Sequence, residues 1–595
     1  MTSTDLPPGS PGPASQGPPP PVTIFPILRV VPLPTSYTTG LTPVLISPDL
    51  EIIFHQSGRK VSLPSDLARS IKRTTNRLQQ TQHQYLSPTR GAEFFLSSAS
   101  PILTEVRLVL DITAGEKVAS IAKCAHAEAE DRPLLEAYSL SIPLKGPAII
   151  KAKSALGLLR GLTTLEQLVY RSPPSDVGGS GSPPSEIMAA CGSLYAPFAP
   201  YNISDRPAFG WRGLLLDTSR NWIGLEAIRK LLDTMSFVKL NVFHWHITDS
   251  NSWPLDLEDR PELAAAGAYS PSQKFTESDI KGLTDYAGER GIDVLLEVDL
   301  PGHTASLAAS HPEHIASANI LPADPYSNQP PAGQLRFATD ATTQWTKGLV
   351  EDVVRLMEVA PYVGTGGDEV NEKCMFADPV TRASLKEKGW TLDQALDAFT
   401  GEIHEPIHAA RKTPVVWQDM VLSHGAMRSI SPDTIVHIWQ ASGDAKKVLD
   451  KGFRIVHAPG DYFYLDAGQG GWMATPHGSG HGDYRTWARV MSFDPYAHAG
   501  PHKEARDRVL GGQACLWTEQ TDENSLECVV WPRTAAVADL FWTGDKAGGG
   551  YPRNTVEALP RMHDVRYRMV DRGVRAIPLQ PHWCALRPEQ SIEGA

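Results

Sequence analysis

YVGTGGDEV, Tyr362 to Val370, is the stretch on which the reading of the fold turns. Tyr362-Val363 opens it like a short apolar strand. Gly364, Gly366 and Gly367 follow, and then two adjacent carboxylates, Asp368 and Glu369. Glycines directly ahead of a carboxylate pair let the backbone make a close approach. At the mouth of a parallel barrel, strand ends of this kind carry the chemistry. Nine residues alone also fit an N-capping Asp and a solvated Glu at a helix start, so the flanking sequence has to decide.

Working outward, apolar runs of four to seven residues alternate with helical stretches from Pro207 onward, the pattern of repeated βα units on a parallel sheet. Upstream of the opening stretch lie GLLLD (213–217), KLNVFHWHITD (239–249) and DVLLEVD (293–299). YVGTGG (362–367) is the fourth run. Downstream lie PVVWQD (414–419), TIVHIWQ (434–440), RIVHAPGDYFYLD (454–466) and QACLWTEQ (513–520). Eight units predict a (β/α)8 TIM barrel catalytic domain over 207–580, with a doubly wound open sheet as the alternative. No GxGxxG opens a helix and no P-loop is present, so neither dinucleotide nor nucleotide binding is supported.

The first half reads differently. VTIFPILRVVPLP, EIIFHQS and EVRLVLDIT read as strands, SDLARSIKRTTNRLQQTQ as a helix, EAYSLSIPL and GPAIIKAKS as a strand pair, and ALGLLRGLTTLEQLVY as a second helix. They predict a smaller α+β supporting domain over 22–171. Residues 1–21 read as a disordered Pro-rich leader, with no basic or apolar region of a signal peptide. SPPSDVGGSGSPPS opens a linker over 172–206, and 581–595 reads as a tail. The chain of 595 residues carries a net charge of −12, which argues against a nucleic-acid binder held by phosphate contacts. No apolar run is long enough to span a bilayer. Six scattered cysteines without a CxxC lean towards an intracellular protein, against which the single Asn202-Ile-Ser204 sequon is weak evidence for secretion.

The strand ends are rich in carboxylates and aromatics: Asp217 and Arg220, Asp249, Glu297 and Asp299 with His303 beyond, Trp417 and Asp419, Trp439, Tyr464 and Asp466, Trp517 and Glu519. Aromatic walls with carboxylates between them suit a sugar, whose C–H faces pack on rings while its hydroxyls donate to carboxylates. His244-Trp245-His246 is an HxH whose histidines share a strand face. A zinc site would need further ligands at neighbouring strand ends, and His303 alone offers one convincingly. The HxH is therefore read as packed, hydrogen-bonded barrel histidines, HGSGHGD (477–483) as a loop, and neither a metal nor another cofactor is expected.

A glycosidase needs a general acid with a raised pKa, and one carboxyl beside another has its pKa raised by repulsion. In the usual retaining mechanism, acid and nucleophile flank the bond roughly 5 Å apart. Backbone neighbours such as Asp368 and Glu369 satisfy that poorly. Either the nucleophile lies on another strand or the substrate brings its own, as the amide oxygen of a 2-acetamido sugar does.

Over residues 22 to 580 the sequence resembles the retaining β-N-acetylhexosaminidases of glycoside hydrolase family 20. RGLLLDTSRNW (212–222), NVFHWHITDSNSWP (241–254), EVDLPGHT (297–304), GGDEVN (366–371), YFYLD (462–466) and QACLWTEQ carry the resemblance, and ALPRMHDVRYRMVDRG (558–573) looks like a C-terminal helical closure. The resemblance implies Glu369 as general acid/base, Asp368 as the residue orienting the acetamido group, and Tyr464 as its hydroxyl partner. It implies Arg220, Asp466 and Glu519 as hydroxyl binders, and Trp417, Trp439 and Trp517 as aromatic walls extended by Trp472. Asp249 and His303 then support the catalytic pair. The implied reaction is exo-hydrolysis of terminal GlcNAc or GalNAc from chitooligosaccharides or glycoconjugates. The alternatives are a disaccharide-releasing sibling or a non-catalytic amino-sugar-binding barrel. Members often dimerise, so a homodimer is a further expectation. Members are commonly secreted, which this chain's start does not suggest. The disulfide that members often form just after the acidic pair would use Cys374, but no cysteine lies near its expected upstream partner position. Ser250 stands where many members carry a second acid or a small residue.

Overall fold

The computed structural model describes residues 28–591, except 57–62, 95, 98, 112–117, 175–191, 426, 474–481, 501 and 546–553. The predicted leader, most of the Pro/Gly/Ser-rich linker and most of HGSGHGD lie outside the described residues. The first domain is a six-stranded mixed sheet, β1 (Ser36–Gln56), β2 (Ile102–Leu110), β3 (Tyr138–Ile142), β4 (Ala148–Ala152), β5 (Tyr170–Arg171) and β6 (Leu194–Asp205), ordered β1-β2-β4-β3-β6-β5. Two helices cover one face. In α1 (Ser65–Gln80), Leu67, Ser70, Thr74 and Leu78 are buried at helical spacing. In α2 (Ala155–Leu168), Leu158, Leu162 and Leu165 join the same core, and Ser154 caps the first turn by accepting from the Gly157 N–H.

Eight parallel strands close the second domain into a barrel: β7 (Trp211–Asp217), β8 (Val242–Thr248), β9 (Asp293–Val298), β10 (Tyr362–Gly366), β11 (Thr413–Trp417), β12 (Ile435–Ile438), β13 (Arg454–His457) and β14 (Val509–Leu516). All eight expected runs contribute a strand. Their outward residues form the large core shared with the surrounding helices, which is why the strands read as continuous apolar runs. Their first inward residues, among them Trp211, Val242, Leu295, Tyr362 and Val415, form a separate layer that closes the N-terminal mouth. The first domain seals that mouth: the Ala129 N–H donates to the Tyr362 hydroxyl at 2.7 Å, and Arg132 reaches Asp293 at 2.7 Å. Access is left to the other end, where the carboxylates sit.

Three expectations are corrected. The run VTIFPILRVVPLP is not a strand where described. Leu28, Val30, Val31 and Leu33 are buried, but their segment lies between the domains, where the Val31 and Leu33 N–H groups donate to the side chains of Gln167 and Asp539 instead of a neighbouring strand. The linker does not extend to 206, because Leu194–Asp205 is β6, paired antiparallel with both β1 and β3. The seventh run does not continue to Asp466: β13 stops at His457 before Pro459-Gly460, and the chain returns to the sheet only at Tyr464, which bridges to Cys515. Past the barrel, α3 (Arg533–Thr543) and α4 (Thr555–Asp571) are clamped by Asp539, which accepts two hydrogen bonds from Arg561 at 2.8 and 2.9 Å. The expected tail holds a short helix, His582–Ala585, and a 3-10 turn, Pro588–Gln590.

Candidate active site

The strand ends converge on a pocket of about 350 Å3 at the C-terminal mouth. Nine of the twelve site residues named from the sequence line it.

Asp217, at the end of β7, sets the first corner. Its Oδ1 accepts from the Ser219 and Arg220 N–H groups at 2.8 and 3.2 Å, and its Oδ2 from Thr518 N–H and hydroxyl. That turn presents Arg220, whose Nη2 lies 2.8 Å from Asp249 Oδ2 and whose guanidinium lies 5.0 Å from the Trp517 ring centre. Burial opposes the charge, but Asp249, Asp217 and Glu519 outweigh it and hold Arg220 protonated more firmly than usual. Asp249 is 1 % exposed and does not line the pocket; it lies against Arg220 and His303.

The HxH pair is accounted for by hydrogen bonds. Gln513 accepts from the Trp211 indole at 3.3 Å, which turns its amide nitrogen towards His244 Nδ1 at 2.9 Å; His244 Nε2 is thereby the protonated nitrogen and donates to Glu297 at 3.0 Å. His246 lies 2.7 Å from Glu297 and 2.9 Å from Asp249. Burial works against its charge, but the hydrogen bonds it donates to Asp249 and Glu297 push its pKa up to about 10. An imidazolium donating on both sides has no lone pair left for a metal ion.

His303 continues the chain. Its Nδ1 is 3.2 Å from Asp249 Oδ1, and its Nε2 is 3.5 Å from Asp368 and 3.4 Å from Glu369. Against burial, Asp249, Asp368 and Asp299 hold it well above the usual histidine range. Asp299 belongs to the site although the sequence reading stopped at noting it beyond a strand end. Its Oδ1 accepts from the Gly367 N–H at 2.8 Å. Burial, then the Asp368 charge, drives its pKa well above the normal value.

Gly366 (φ +62°) and Gly367 (φ +95°) take left-handed backbone, and side chains there would run into Asp299 and Met420 respectively. They allow Asp368 and Glu369 to turn into the pocket, and Glu369 itself sits at φ +56°. The raised pKa expected for the acid of this pair is corrected at Glu369. Burial raises its pKa, but His303, a hydrogen bond from Asn328 and Arg220 lower it further, and the net shift is down. The neighbour effect assumed from sequence fails because the cation that the fold brings between the two carboxylates is invisible in their spacing.

The aromatic wall is three-sided. Trp417 and Trp517 lie 6.0 Å apart between ring centres, and Trp439 stacks with Tyr464 at 6.5 Å and 15°. Glu519 faces them, its pKa raised by burial, and accepts from Gln329 at 3.1 Å. Gln329 was missed by the sequence reading, since it comes from the long loop after β9 and no strand pattern points to it. Asp466 and Trp472 do not line the pocket. Asp466 is 9 % exposed and its charge is felt by Tyr464 and Glu519; Trp472 is half-buried. Cys374 is a buried free thiol.

Comparison with known proteins fits this geometry. A family model described as "Glycosyl hydrolase family 20, catalytic domain" matches residues 209–545, and one described as "beta-acetyl hexosaminidase like" matches 30–168. The chain is 33% identical over 470 residues to a beta-hexosaminidase of Arthroderma benhamiae, covering 76% of this chain and 73% of that protein. It is 31% identical over 468 residues to a chitooligosaccharidolytic beta-N-acetylglucosaminidase of Ostrinia furnacalis, covering 76% and 74%. The Flavobacterium johnsoniae chitobiase structure superposes with a TM-score of 0.71 at 23% identity over 93% of this chain and 74% of that one, a likeness of fold. The two family matches span the supporting domain and the barrel, and the acidic pair lies inside the second of them: the chain belongs to glycosyl hydrolase family 20.

Proposed function

We propose that the pocket removes one terminal 2-acetamido sugar from a β-linked chain, with the substrate's own amide oxygen as nucleophile. The observation that carries the reading is the side-by-side placement of Asp368 and Glu369 against a closed aromatic wall. A second carboxylate across the scissile bond would serve a protein nucleophile; here Asp249 and Asp299 are each 1 % exposed, and Glu519 is engaged by Gln329. The acetamido group fits among Trp417, Tyr464 and Trp517. Asp368 accepts its N–H and Tyr464 donates to its oxygen. That oxygen attacks C1 as Glu369 protonates the leaving oxygen, giving a cyclic oxazolinium. Glu369, now the anion, takes a proton from water, which opens the ring with net retention. Arg220, Glu519 and Asp466 serve the hydroxyls at the non-reducing end. Chitooligosaccharides and glycoconjugates ending in GlcNAc or GalNAc are the substrates of this proposal.

The test compares 4-methylumbelliferyl β-N-acetylglucosaminide with the plain β-glucoside, for wild type and Glu369→Gln. Release from the acetamido sugar alone, lost in the variant, supports the reading. Equal release from the glucoside refutes it. The proposal includes a homodimer, checked by light scattering, and an intracellular site of action, supported by the free thiols at Cys124, Cys374, Cys515, Cys528 and Cys584 and checked by cell fractionation.

A further inference from the structure

We propose that Gln334 is a positioning residue whose side-chain amide holds the turn of the catalytic acid in the way a neighbouring strand would. The inference rests on Glu369 being that acid. β10 ends at Gly366 and the next helix begins at Glu372, so the acidic pair sits on a stretch that is neither strand nor helix. Glu369 is in left-handed backbone there, at φ +56°, a conformation disfavoured for any residue with a Cβ. Such a residue keeps its conformation only where its surroundings over-determine it. The upstream end of the stretch is held by Asp299, which accepts from the Gly367 N–H at 2.8 Å. The downstream end is held by Gln334. Its Nε2 donates to the Glu369 C=O at 3.0 Å, and its Oε1 accepts from the Asn371 N–H at 3.0 Å.

These two bonds fix the orientation of the amide, because a backbone C=O only accepts and a backbone N–H only donates. A C=O and an N–H on either side of one residue, here Val370, are the pair that a parallel strand would engage. A primary amide satisfies both at once. A carboxylate has no donor for the C=O, and asparagine is one methylene shorter. Gln334 is itself firmly placed. It is 6 % exposed and opens a two-residue strand, Gln334–Leu335, paired antiparallel with Ile315–Ala316. Leu335 is fully buried, and its N–H donates at 3.1 Å to the C=O of Pro301, two residues before His303. Arg336 forks onto Asp378 with two bonds of 3.1 Å. The segment therefore touches the turn of His303 through Leu335 and the turn of Glu369 through Gln334. Asn371 carries the restraint onward, since its Oδ1 accepts from the Cys374 N–H at 2.9 Å and caps the helix Glu372–Ala377. Rotation of the Glu369 peptide would swing its carboxyl and leave the buried amide of Gln334 without a partner for its donor, which is costly.

The experiment separates positioning of the acid from general support. A good leaving group departs without protonation, so a displaced acid slows mainly substrates with poor leaving groups. The quantity compared is kcat/KM, which reports the steps up to departure of the leaving group, for phenyl and 2,4-dinitrophenyl β-N-acetylglucosaminides. The proteins are wild type, Gln334→Met, Gln334→Ala, Arg336→Ala and Glu369→Gln, each with a thermal melt. Gln334→Met keeps the length of the side chain and removes both bonds. Displacement of a reacting group costs on the order of 10²-fold, so the phenyl rate is expected to fall by that order while the dinitrophenyl rate is nearly kept. Gln334→Ala leaves room for water at the two backbone groups and shows the same leaving-group signature to a smaller degree, which keeps the test open should the methionine variant fail to fold. Arg336→Ala loosens the same segment without touching the acid; its melting temperature falls, and its loss of rate is the same on both substrates. Equal losses on both substrates in the Gln334 variants, or no loss on either, with Glu369→Gln still discriminating between them, overturn the proposal. So does a full leaving-group signature in Arg336→Ala, since loosening alone would then suffice. Absence of discrimination in Glu369→Gln sinks the acid assignment, and the positioning role with it.

Discussion

Asp368→Asn isolates charge from shape at the acetamido group. The carboxylate lines the pocket, is 8 % exposed, and faces His303 at 3.5 Å. In the bound sugar the amide N–H is neutral. As its oxygen closes on C1, roughly half a positive charge develops on the nitrogen side of the new ring. Half a unit charge at a hydrogen-bond distance of about 2.8 Å, in a medium of effective dielectric about 20, is worth about 3 kcal/mol to a carboxylate. Asparagine keeps the size and an accepting oxygen but not the charge. The interaction grows only on the way to the transition state, so the loss falls on kcat, by on the order of 10²-fold, with KM little changed. His303 keeps Asp249 as a partner at 3.2 Å, so the fold is not undone. The assay is steady-state hydrolysis of p-nitrophenyl β-N-acetylglucosaminide, with a thermal melt as control. A variant within about fivefold of wild type in kcat, or one whose loss is all in KM, would falsify the charge argument.

Arg220→Met takes the arginine cation from buried Asp217 and leaves Asp249 with His246 and His303 alone. Breaking such a pair costs about 3–5 kcal/mol, so both the melting temperature and the affinity for the sugar fall, and an unchanged melt refutes the pairing as described. Gly367→Ala places a Cβ at φ +95° and 2.5 Å from Met420 Sδ; kcat drops by about tenfold or more at an unchanged circular dichroism spectrum, as expected for about 1–3 kcal/mol of backbone strain at the acidic turn. His246 is raised to about 10 in the fold against about 6.5 unfolded. The sign follows: its contribution to stability is complete below pH about 6.5 and is lost as pH rises through about 10. Urea midpoints therefore decline over that window, and a flat series in wild type refutes the imidazolium. His303→Gln removes the cation that lowers the Glu369 pKa, so the alkaline limb of kcat/KM, which reports the free acid, moves to higher pH while kcat falls. An unmoved limb would make His303 a spacer only.

The barrel was legible because its strands, buried on both faces, leave eight unbroken apolar runs, each ending near a polar or aromatic residue. Asp368, Glu369, Trp417, Trp439 and Trp517 could be named because strand position alone carries them to the mouth. Tyr464 was assigned correctly to the pocket for an incomplete reason, since it reaches the mouth by a return to β14 after β13 has ended. What the sequence did not disclose depends on distance in space. Gln329 and Asn328 arrive on a loop whose path has no periodicity. Asp299, two residues past Glu297, alternates with it in the pattern of a strand end, yet nothing in that alternation says that burial and Asp368 raise its pKa. The run from Val22 to Pro34 has the composition of a strand, and its described residues are buried as one would be, but its N–H partners are side chains hundreds of residues away.

The buried charges under the pocket form an alternating series. Glu297 meets His246, His246 meets Asp249, Asp249 meets Arg220 and His303, and His303 meets Asp368 and Glu369. Alternation is what makes so many ions tolerable away from water, since each is flanked by its opposite. Side-chain exposure rises along the series, from 0 to 1 % at His246, Glu297 and Asp249, to 12 % at His303 and Asp368, and 23 % at Glu369. A proton removed from an interior member would leave a charge unpaired in a low dielectric, whereas the terminal member exchanges it with substrate or water at little electrostatic penalty. Turnover requires one group to give up a proton and take it back on every cycle. The series leaves that duty to the residue at its exposed end, and the interior members serve to hold its carboxyl in one place while its charge changes.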